Sequence, residues 1–190
     1  ELRSRKAKGE GKNVLFVDEN IFPQVLAVIK TRVEPLNIEI EIGDFREYKF
    51  NPNCFGAVVQ YPAANGEVRD YEAFAKEAAE KEVLVTAVVE LLSLAILKEP
   101  AAWGANIAVG NAQRFGLPMG FGGPTTGFIA TVEEYKRYLP GRIIGVSIDR
   151  HGNKALRMAL QTREQHIKRE KATSNICTAS ALMSTMSSMY

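Results

Sequence analysis

Residues 120–127 read Gly-Phe-Gly-Gly-Pro-Thr-Thr-Gly, and their composition suits a binding site better than that of any other segment. Four glycines in eight positions allow positive backbone torsions and a close approach of a ligand or of another backbone segment. The spacing matches neither the GxGxxG nucleotide-binding motif nor a Walker loop, because no Gly-Lys-Ser/Thr follows. These residues alone favour a tight structural turn, and a phosphate cradle remains the alternative.

A second candidate is the basic stretch of residues 150–171, in which seven Lys or Arg side chains accompany only two Glu. The seven are Arg150, Lys154, Arg157, Arg163, Lys168, Arg169 and Lys171. The stretch could bind anions or face an acidic partner. It could equally be a solvated helix face from residue 157 onwards, held by pairs such as Glu164 with Lys168.

Histidine and cysteine are too scarce for the other common kinds of site. His151 and His166 are the only histidines and lack motif partners, so neither a Ser/His/Asp triad nor a multi-histidine metal site is supported, and we predict no metal. Cys54 and Cys177 are too few for a disulfide framework and lack metal-ligand spacing. This usage favours a reducing compartment and two core thiols.

The composition favours a soluble globular domain. With 190 residues, 46% of them hydrophobic, the chain is long enough to bury one substantial core. Its formal charge of +2 is too small for a nucleic-acid-binding domain, so no nucleic-acid partner is expected. The apolar run at residues 83–97 is interrupted by Glu90 and is shorter than the roughly 20 residues of a membrane span, and no signal peptide is recognisable. We expect no membrane partner and a cytosolic or organelle-matrix location.

Apolar spacing predicts the strands and helices that position these residues. Strands are predicted at residues 13–17, 38–42, 55–61, 83–89, 107–109, 127–130 and 143–147, and helices at 22–33, 70–78, 132–137 and 176–190. Asp70 is the predicted cap of its helix, and the strand at 38–42 alternates Ile with Glu and should have one buried face. Residues 1–12 are predicted to be a helix tail and linker, and residues 13–190 a single α/β domain. The alternation favours three layers, a mainly parallel sheet with helices on both faces.

Four longer blocks give the chain a family resemblance. Residues 110–124 (Gly-Asn-Ala-Gln-Arg-Phe-Gly-Leu-Pro-Met-Gly-Phe-Gly-Gly-Pro), 140–147, 156–166 and 169–179 (Arg-Glu-Lys-Ala-Thr-Ser-Asn-Ile-Cys-Thr-Ala) are similar to successive blocks of the glycine decarboxylase family. That family has the fold-type-I pyridoxal phosphate architecture of the aspartate aminotransferase superfamily, present twice in one chain or divided between two subunits. The resemblance implies part of the large domain of the N-terminal half, continuing at both ends in a longer protein.

The resemblance also implies a function. The family's enzyme is a pyridoxal phosphate-dependent glycine dehydrogenase, which decarboxylates glycine and passes the aminomethyl group to the lipoyl arm of a carrier, the H-protein. The expected partners are the other half or subunit of glycine decarboxylase and the lipoylated H-protein, within a dimer or a heterotetramer. The expected location is bacterial cytoplasm or mitochondrial matrix. The alternative is that the chain is a non-catalytic scaffold or interaction subunit of a split enzyme.

A pyridoxal phosphate site needs a lysine for the Schiff base, an acidic residue at the pyridine nitrogen and a glycine-rich turn or helix N-terminus for the phosphate. In the family's cofactor-bearing half, the lysine precedes Thr-Phe and is followed by a Pro and a glycine run. That pattern laid on this chain puts Gln113 at the lysine position, and an amide cannot form an imine. The resemblance therefore implies a supporting half with no catalytic residue in this segment and no covalently bound cofactor, and no lysine lies between Lys98 and Lys136.

The expected remnants of a degenerate cofactor site are Gly120, Gly122, Gly123 and Glu90. Two departures from the family pattern fall among them. Glu90-Leu-Leu stands where the family usually has Asp-Leu-Leu, and Thr125-Thr126 follows Gly-Gly-Pro where the family commonly has His. The loss of that histidine removes a possible proton donor or stacking group.

The basic stretch is the candidate partner surface, for the H-protein or for the other half of the enzyme. The residues expected to form it are Arg150, Arg163, Lys168, Arg169 and Lys171. Charge reversal at Arg163 and Lys168 is expected to weaken carrier binding in a salt-dependent way.

Overall fold

The computed structural model describes residues 11–139, 141–160, 169 and 180–190. Six strands form one sheet in the order β2-β1-β3-β4-β5-β6. They are β1 Val14–Asp18, β2 Glu39–Gly43, β3 Cys54–Tyr61, β4 Leu84–Glu90, β5 Ile107–Asn111 and β6 Gly127–Thr131. The first five strands are parallel and β6 is antiparallel to β5. The predicted mainly parallel sheet is therefore confirmed, with one antiparallel edge.

Within the described residues, the remaining elements are three α-helices, a hairpin and short 3-10 turns. The helices are α1 Pro23–Val33, α2 Glu72–Glu80 and α3 Ala181–Met189, and the hairpin pairs β7 Ile143–Ile148 with β8 Lys154–Leu160 in a separate two-stranded sheet. The 3-10 turns are Glu34–Leu36, Leu91–Ala95, Pro100–Trp103 and Glu133–Tyr138. The predicted helix at 132–137 is thus a 3-10 turn. Of the predicted helix at 176–190, residues 176–179 lie outside the described residues.

Local sequence explains where the helices begin and end. Pro23 occupies the first turn of α1, where a missing N–H costs nothing, and Pro35 with the left-handed Asn37 turns the chain into β2. At α2 the Asp70 carboxylate accepts a hydrogen bond from the Glu72 amide at 2.9 Å. The N-cap of α2 is therefore Tyr71 and not the predicted Asp70, although the Asp70 carboxylate still binds the first helical amide, that of Glu72.

The sheet buries one apolar cluster on each face. On the face that we call the α2 face, residues such as Ala57, Val85 and Ala87 pack against Phe74 and Ala78 of α2. On the opposite side, the α1 face, Val17, Ile21 and Val58 pack against Val25, Leu26 and Ile29 of α1. The alternation of side chains along each strand separates the two clusters, because neighbouring residues point to opposite faces. Helices on both faces, as predicted, are confirmed.

Two local features differ from the expectation. The Ile face of β2 is only partly buried, because Ile40 packs against the α1-face cluster whereas Ile42 is 47% exposed. Glu41 is only half-exposed because it accepts hydrogen bonds from Tyr48 and Asn51. In the described part of the sheet β2 is the edge strand, so it has a neighbouring strand on one side only. The helix face that was one alternative for the stretch from residue 157 is a strand as far as Leu160, since these residues pair with β7. Residues 161–168 and 170–179 lie outside the described residues.

The buried thiol of Cys54 agrees with its prediction as a core residue. It is fully buried and its burial raises the pKa of the thiol, while Cys177 lies outside the described residues. No helix in the described part of the chain is long and apolar enough to cross a membrane. The same residues contain no group of three or more His, Cys, Asp or Glu side chains placed to hold a metal ion.

Candidate functional site at the carboxyl edge of the sheet

The predicted site residues gather where β4 and β5 end. Glu90 is the last residue of β4, Asn111 is the last residue of β5, and the two are partners in the parallel register. Ligands of α/β proteins bind at this carboxyl edge, because the loops that follow the strands converge there. The chain between β5 and β6 then carries Gln113 and the glycine loop, which we define as residues 117–124.

The carboxylate of Glu90 is occupied by groups of this chain. It accepts hydrogen bonds from the backbone amides of Ser93 at 2.8 Å and Leu92 at 3.4 Å. Through these bonds it caps the 3-10 turn Leu91–Ala95. An ion pair at 3.3 Å joins it to Nε of Arg114, whose side chain is 66% exposed. The Glu90 carboxylate therefore serves as a local cap.

Gln113 lies beside the glycine loop, as its sequence position suggests, but its side chain faces the backbone. Its Nε2 donates to the carbonyl of Leu117 at 2.9 Å and to the carbonyl of Pro118 at 3.0 Å. Its backbone amide donates to Oδ1 of Asn111 at 2.6 Å. Gln113 thus joins the end of β5 to the start of the glycine loop. Its side-chain amide nitrogen already donates to two carbonyl groups of this chain.

The glycine loop is a series of tight turns in a left-handed conformation. Gly120, Phe121 and Gly122 have φ values of 53°, 56° and 80°. The amide of Gly122 donates to the Met119 carbonyl and that of Gly123 to the Gly120 carbonyl, both at 3.0 Å. A Cβ on residue 123 would lie 2.9 Å from the Gly120 oxygen, so glycine is required there by contact. The structural turn favoured by the sequence is therefore present.

Phe121 is the exception within this loop. It is a bulky residue with a positive φ, and its side chain is fully exposed. L-residues other than glycine occupy this region at a cost of roughly 1–2 kcal/mol. The adjacent Met119 is also 83% exposed, whereas Leu117 is buried and anchors the start of the loop. The loop consequently presents two apolar side chains outward from a fixed base.

Helix α3 supports the far side of this edge. The Thr126 hydroxyl lies 3.1 Å from the Ser184 hydroxyl, and the ring of Tyr190 packs at 5.8 Å from that of Phe115. Tyr190 also lies over Gly116, where an added Cβ would come within 2.9 Å of its ring. Thr126 is buried. It follows Thr125, the position at which the glycine decarboxylase family commonly has histidine. The Thr126 hydroxyl belongs to a contact between loop and helix.

A second ion pair lies at the same carboxyl edge of the sheet, at the end of β1. The carboxylate of Asp18 is fully buried and accepts from the amide of Asn20 at 2.7 Å and from Nη1 of Arg69 at 3.2 Å. Arg69 is 7% exposed, donates from Nε to Glu67 at 2.9 Å, and lies over the ring of Phe45. Burial raises the pKa of Asp18, while the guanidinium opposes that shift. Both carboxylate oxygens of Asp18 and the Nε and Nη1 atoms of Arg69 therefore have partners within the fold.

The basic stretch is exposed where the structure describes it. Arg150, Lys154, Arg157 and Arg169 are exposed, and Nε of Arg150 donates to the imidazole of His151 at 3.0 Å. Arg163, Lys168 and Lys171 lie outside the described residues. Arg150 lies in the turn of the β7–β8 hairpin, and Lys154 and Arg157 lie on β8. This part of the stretch is therefore not the helix face that was one alternative for it.

The residues at the carboxyl edge do not fit covalently bound pyridoxal phosphate. The amide of Gln113 is engaged with two carbonyl groups, and the carboxylate of Glu90 is engaged with two backbone amides and Arg114. The amides of Gly122 and Gly123 close turns of the loop itself. Lys98, the last lysine before the lysine-free segment, forms an ion pair with Glu72 at 3.0 Å. No step of cofactor chemistry is therefore assigned to these side chains.

Fold and edge together define a class: an α/β layer of the fold-type-I kind, in which the edge that commonly holds a ligand carries a hydrogen-bonded glutamine and a glycine loop. The whole chain, residues 1–190, matches the family model of the glycine cleavage system P-protein. The chain belongs to that family.

Named relatives agree with this assignment. Glycine dehydrogenase (decarboxylating) of Bacteroides thetaiotaomicron is 54% identical over 189 residues, covering 100% of this chain and 20% of that protein. The mitochondrial protein of that name from Dictyostelium discoideum is 55% identical over 184 residues, covering 97% and 18%. A crystal structure of glycine decarboxylase (P-protein) of the glycine cleavage system, in inhibitor-bound form, has a TM-score of 0.86 at 37% identity and covers 95% of this chain and 42% of that one. The chain thus spans about a fifth of the length of these curated relatives.

Several residues of this edge were missed by sequence reasoning. Asn111, Arg114 and the Asp18–Arg69 pair had no assigned role, although Asn111 and Asp18 directly follow apolar strand residues. A polar residue immediately after a buried parallel strand is the signal that could have found both. Arg69 lies 51 positions from Asp18, and nothing in the spacing connects the two.

Proposed function

We propose that this chain is a supporting part of a pyridoxal phosphate-dependent glycine dehydrogenase (decarboxylating), in the half that lacks the Schiff-base lysine. By parent protein we mean a full-length member of the family that contains this chain. In the parent protein, pyridoxal phosphate supplies the electron sink for glycine decarboxylation, and the aminomethyl group passes to the lipoyl arm of the H-protein. The cofactor lysine lies outside residues 1–190, and this segment shapes the surroundings of the active site.

The observation that supports this proposal best is the geometry of Gln113. Its amide makes two hydrogen bonds to the base of the glycine loop, at 2.9 Å and 3.0 Å. A glutamine that fixes a loop is a structural substitute for a lysine that would hold a cofactor. The proposed reaction follows from the family membership. The hydrogen bonds of Gln113 support the proposal that this edge of the sheet does not perform it.

The role of the chain is to hold the glycine loop in one conformation. Buried Leu117 and the Gln113 amide fix the base of the loop, and the turns at Gly122 and Gly123 fix its tip. A loop that is ordered before association loses less entropy when another part of the enzyme packs against it. This favours a supporting surface at the carboxyl edge over an open ligand pocket.

The basic stretch is the proposed contact with the H-protein or with the other half of the enzyme. Exposed Arg150, Lys154, Arg157 and Arg169 are consistent with a surface that binds an acidic partner. A bacterial relative and a relative named as mitochondrial support a location in bacterial cytoplasm or in the mitochondrial matrix. The assembly is proposed to be a dimer or a heterotetramer.

The substitution Gln113→Met in the parent protein tests the proposed role of the glutamine. Methionine keeps the length of the side chain but cannot donate to the Leu117 and Pro118 carbonyls. Hydrogen exchange at the loop amides should accelerate and glycine decarboxylation should fall several-fold, because the loop loses its fixed base. The content of bound pyridoxal phosphate should stay at the wild-type value.

The matched control is Gln24→Met on the exposed side of α1, which should change none of the three measurements. Loss of cofactor in Gln113→Met, with the control intact, would contradict the proposal, since it would make position 113 part of the cofactor site.

Charge reversal tests the proposed carrier surface separately. Arg150→Glu with Arg157→Glu, and the pair Arg163 and Lys168 reversed to Glu, should weaken H-protein binding, and the loss should shrink as salt is raised. Reversal of both Lys30 and Arg32, which are exposed on α1, to Glu is the control of equal charge change. Equal binding by all three variants would remove the basic stretch from the carrier interface.

A further inference from the structure

The turn that follows β3 contains the single Asn-Gly pair of the sequence. Asn65 is followed by Gly66, whereas each of the other nine asparagines is followed by a residue that carries a side chain. Both residues of the pair are exposed. Gly66 has a φ of 83°, and no atom lies within 4 Å of the place where a Cβ would be. The peptide bond between the two residues is therefore open to solvent, and no side chain hinders a reaction at the Gly66 nitrogen.

The side chain of Asn65 is folded over the backbone that follows it. Its Oδ1 accepts a hydrogen bond from the Glu67 amide at 3.0 Å. This Asx turn directs the side-chain carbonyl back towards the Asn65–Gly66 peptide bond. The same hydrogen bond draws electron density away from Cγ and provides a donor for an oxyanion that develops on Oδ1. The turn thus places an activated side-chain amide next to a backbone nitrogen.

One hydrogen bond of the turn opposes a reaction between the two groups. The Gly66 nitrogen donates to the Ala63 carbonyl at 2.8 Å, and it must lose its proton before it can attack a carbonyl carbon. Residues 64–68 are all exposed, so the turn can open locally at a small cost in free energy. The reaction should therefore be slow at neutral pH and should accelerate as the pH rises, because hydroxide removes the amide proton.

We propose that Asn65 is a site of spontaneous deamidation. The Gly66 nitrogen forms a bond to Cγ of Asn65, the bond from Cγ to the side-chain nitrogen breaks, and ammonia leaves with the proton of the Gly66 amide. The product is a five-membered succinimide. Water then opens the ring at either carbonyl group, which gives aspartate or isoaspartate at position 65. Water is the sole co-reactant, and no atom changes its oxidation state.

The modification should reach the buried ion pair at the end of β1. Hydrogen bonds from Arg69 and, to a smaller extent, from the Asn65 amide lower the pKa of Glu67. Glu67 accepts from Nε of Arg69 at 2.9 Å, and Nη1 of Arg69 donates to Asp18 at 3.2 Å. A carboxylate in place of the amide cannot donate to Glu67, and it adds a like charge beside it. Deamidation is therefore expected to weaken the hold of this turn on Arg69.

Ageing of the purified parent protein tests the site. After incubation for days at neutral pH, peptide mass spectrometry should show conversion of amide to acid several-fold faster at Asn65 than at the other nine asparagines of residues 1–190. Electron-transfer fragmentation should identify isoaspartate in the product. Gly66→Asp adds a Cβ at a residue type that tolerates the left-handed region, and it should slow the conversion several-fold. Conversion at Asn65 no faster than at the other asparagines would overturn the proposal.

Two variants at position 65 test the effect on the ion pair. Asn65→Asp carries the charge of the aspartate product, whereas Asn65→Ser keeps an acceptor for the Glu67 amide and adds no charge. The Asn20 amide, which donates to Asp18, should exchange its hydrogen several-fold faster in Asn65→Asp than in Asn65→Ser. Equal exchange would overturn the expected link to Arg69. None of these measurements uses the activity of the enzyme, so the failure of this inference is distinguishable from that of the proposed function.

Discussion

Asp18 and Glu90 end two strands of the same parallel sheet at the same edge, yet they are held in opposite ways. Asp18 is fully buried and meets Arg69, which is itself 7% exposed. Glu90 is half-buried and meets Arg114, whose side chain is 66% exposed. The first carboxylate belongs to a buried structural ion pair, and the second belongs to an exposed one.

The difference shows how one edge can serve two purposes. At β1, the charges of Asp18 and Arg69 are paired with each other inside the fold, because a buried ion must find its partners within the chain. At β4 and β5, the polar groups fix a turn and a loop that remain accessible. Stability is therefore concentrated at the Asp18 end, and the candidate functional surface lies at the Glu90 end.

The largest expected effect comes from removing the buried cation. Arg69→Met leaves the Asp18 carboxylate buried without its partner and should cost about 3–5 kcal/mol of stability. Arg114→Met at the exposed pair is the matched substitution and should cost less than about 1 kcal/mol. Unfolding of the parent protein, followed by hydrogen exchange in β1 and β4, checks both. Equal losses would contradict the distinction between a buried and an exposed ion pair.

The glycine loop should respond next in size. Gly122 has a φ of 80° and no atom within 4 Å of an added Cβ, so Gly122→Ala meets torsional strain alone. The expected local cost is roughly 1–2 kcal/mol. Gly122→Asn should cost less, because asparagine tolerates the left-handed region. Exchange rates of the loop amides measure the difference, and identical rates for the two variants would show that the loop is not held in this conformation.

Glu90→Gln should change stability by less than about 1 kcal/mol, since the amide oxygen can still accept from Ser93 and the exposed partner Arg114 contributes little. Its more informative readout is the cofactor. Pyridoxal phosphate content and glycine decarboxylation by the parent protein should remain near wild type, because Glu90 is placed in a turn cap. A collapse of activity with an intact fold would instead mean that Glu90 holds the pyridine nitrogen.

The smallest expected effect is an opposite pH dependence of two carboxylates. Hydrogen bonds from Arg46 lower the pKa of Asp44, just after β2, from 3.8 to about 2. Its stabilising contribution is present above pH 3.8 and is lost as the pH falls through about 2. Burial raises the pKa of Asp18, so the cost of ionising Asp18 is absent below 3.8 and grows as the pH rises through its folded pKa.

The two substitutions Asp44→Asn and Asp18→Asn check this contrast. The stability of the wild type relative to Asp44→Asn should fall on acidification from pH 3.8 towards 2. Its stability relative to Asp18→Asn should change in the opposite direction on acidification. Hydrogen exchange at acidic pH measures both differences in stability. If the two differences changed with pH in the same direction, the opposite pKa shifts of Asp18 and Asp44 would be contradicted.

The sequence predicts the sheet because apolar runs of strand length alternate with helical spacing from residue 13 to residue 130. It does not predict the β7–β8 hairpin, because the spacing of Leu156, Ala159 and Leu160 also suits a helix. The missed signal is a turn at residues 149–153 that contains Gly152, with a φ of 85°, directly after the alternating residues Ile144, Val146 and Ile148. A glycine turn between two alternating runs is typical of a hairpin.

The candidate site could be predicted only in part, for a physical reason. Gln113 and the glycine loop are neighbours along the chain, so a sequence pattern can find them together. The partners that decide their chemistry are brought in by the fold: Glu90 by the register of β4 with β5, and Ser184 by helix α3. Whether Gln113 holds a loop or faces a ligand depends on a side-chain direction that spacing does not encode.

Mapping the cofactor lysine of the parent protein tests the central claim most directly. Borohydride reduction fixes pyridoxal phosphate to the lysine that binds it, and peptide mass spectrometry locates that residue. Our account predicts one modified lysine per cofactor-bearing half, outside residues 1–190, and no modification within them. A stoichiometric modification of any lysine in residues 1–190 would contradict the assignment of this segment to the supporting half.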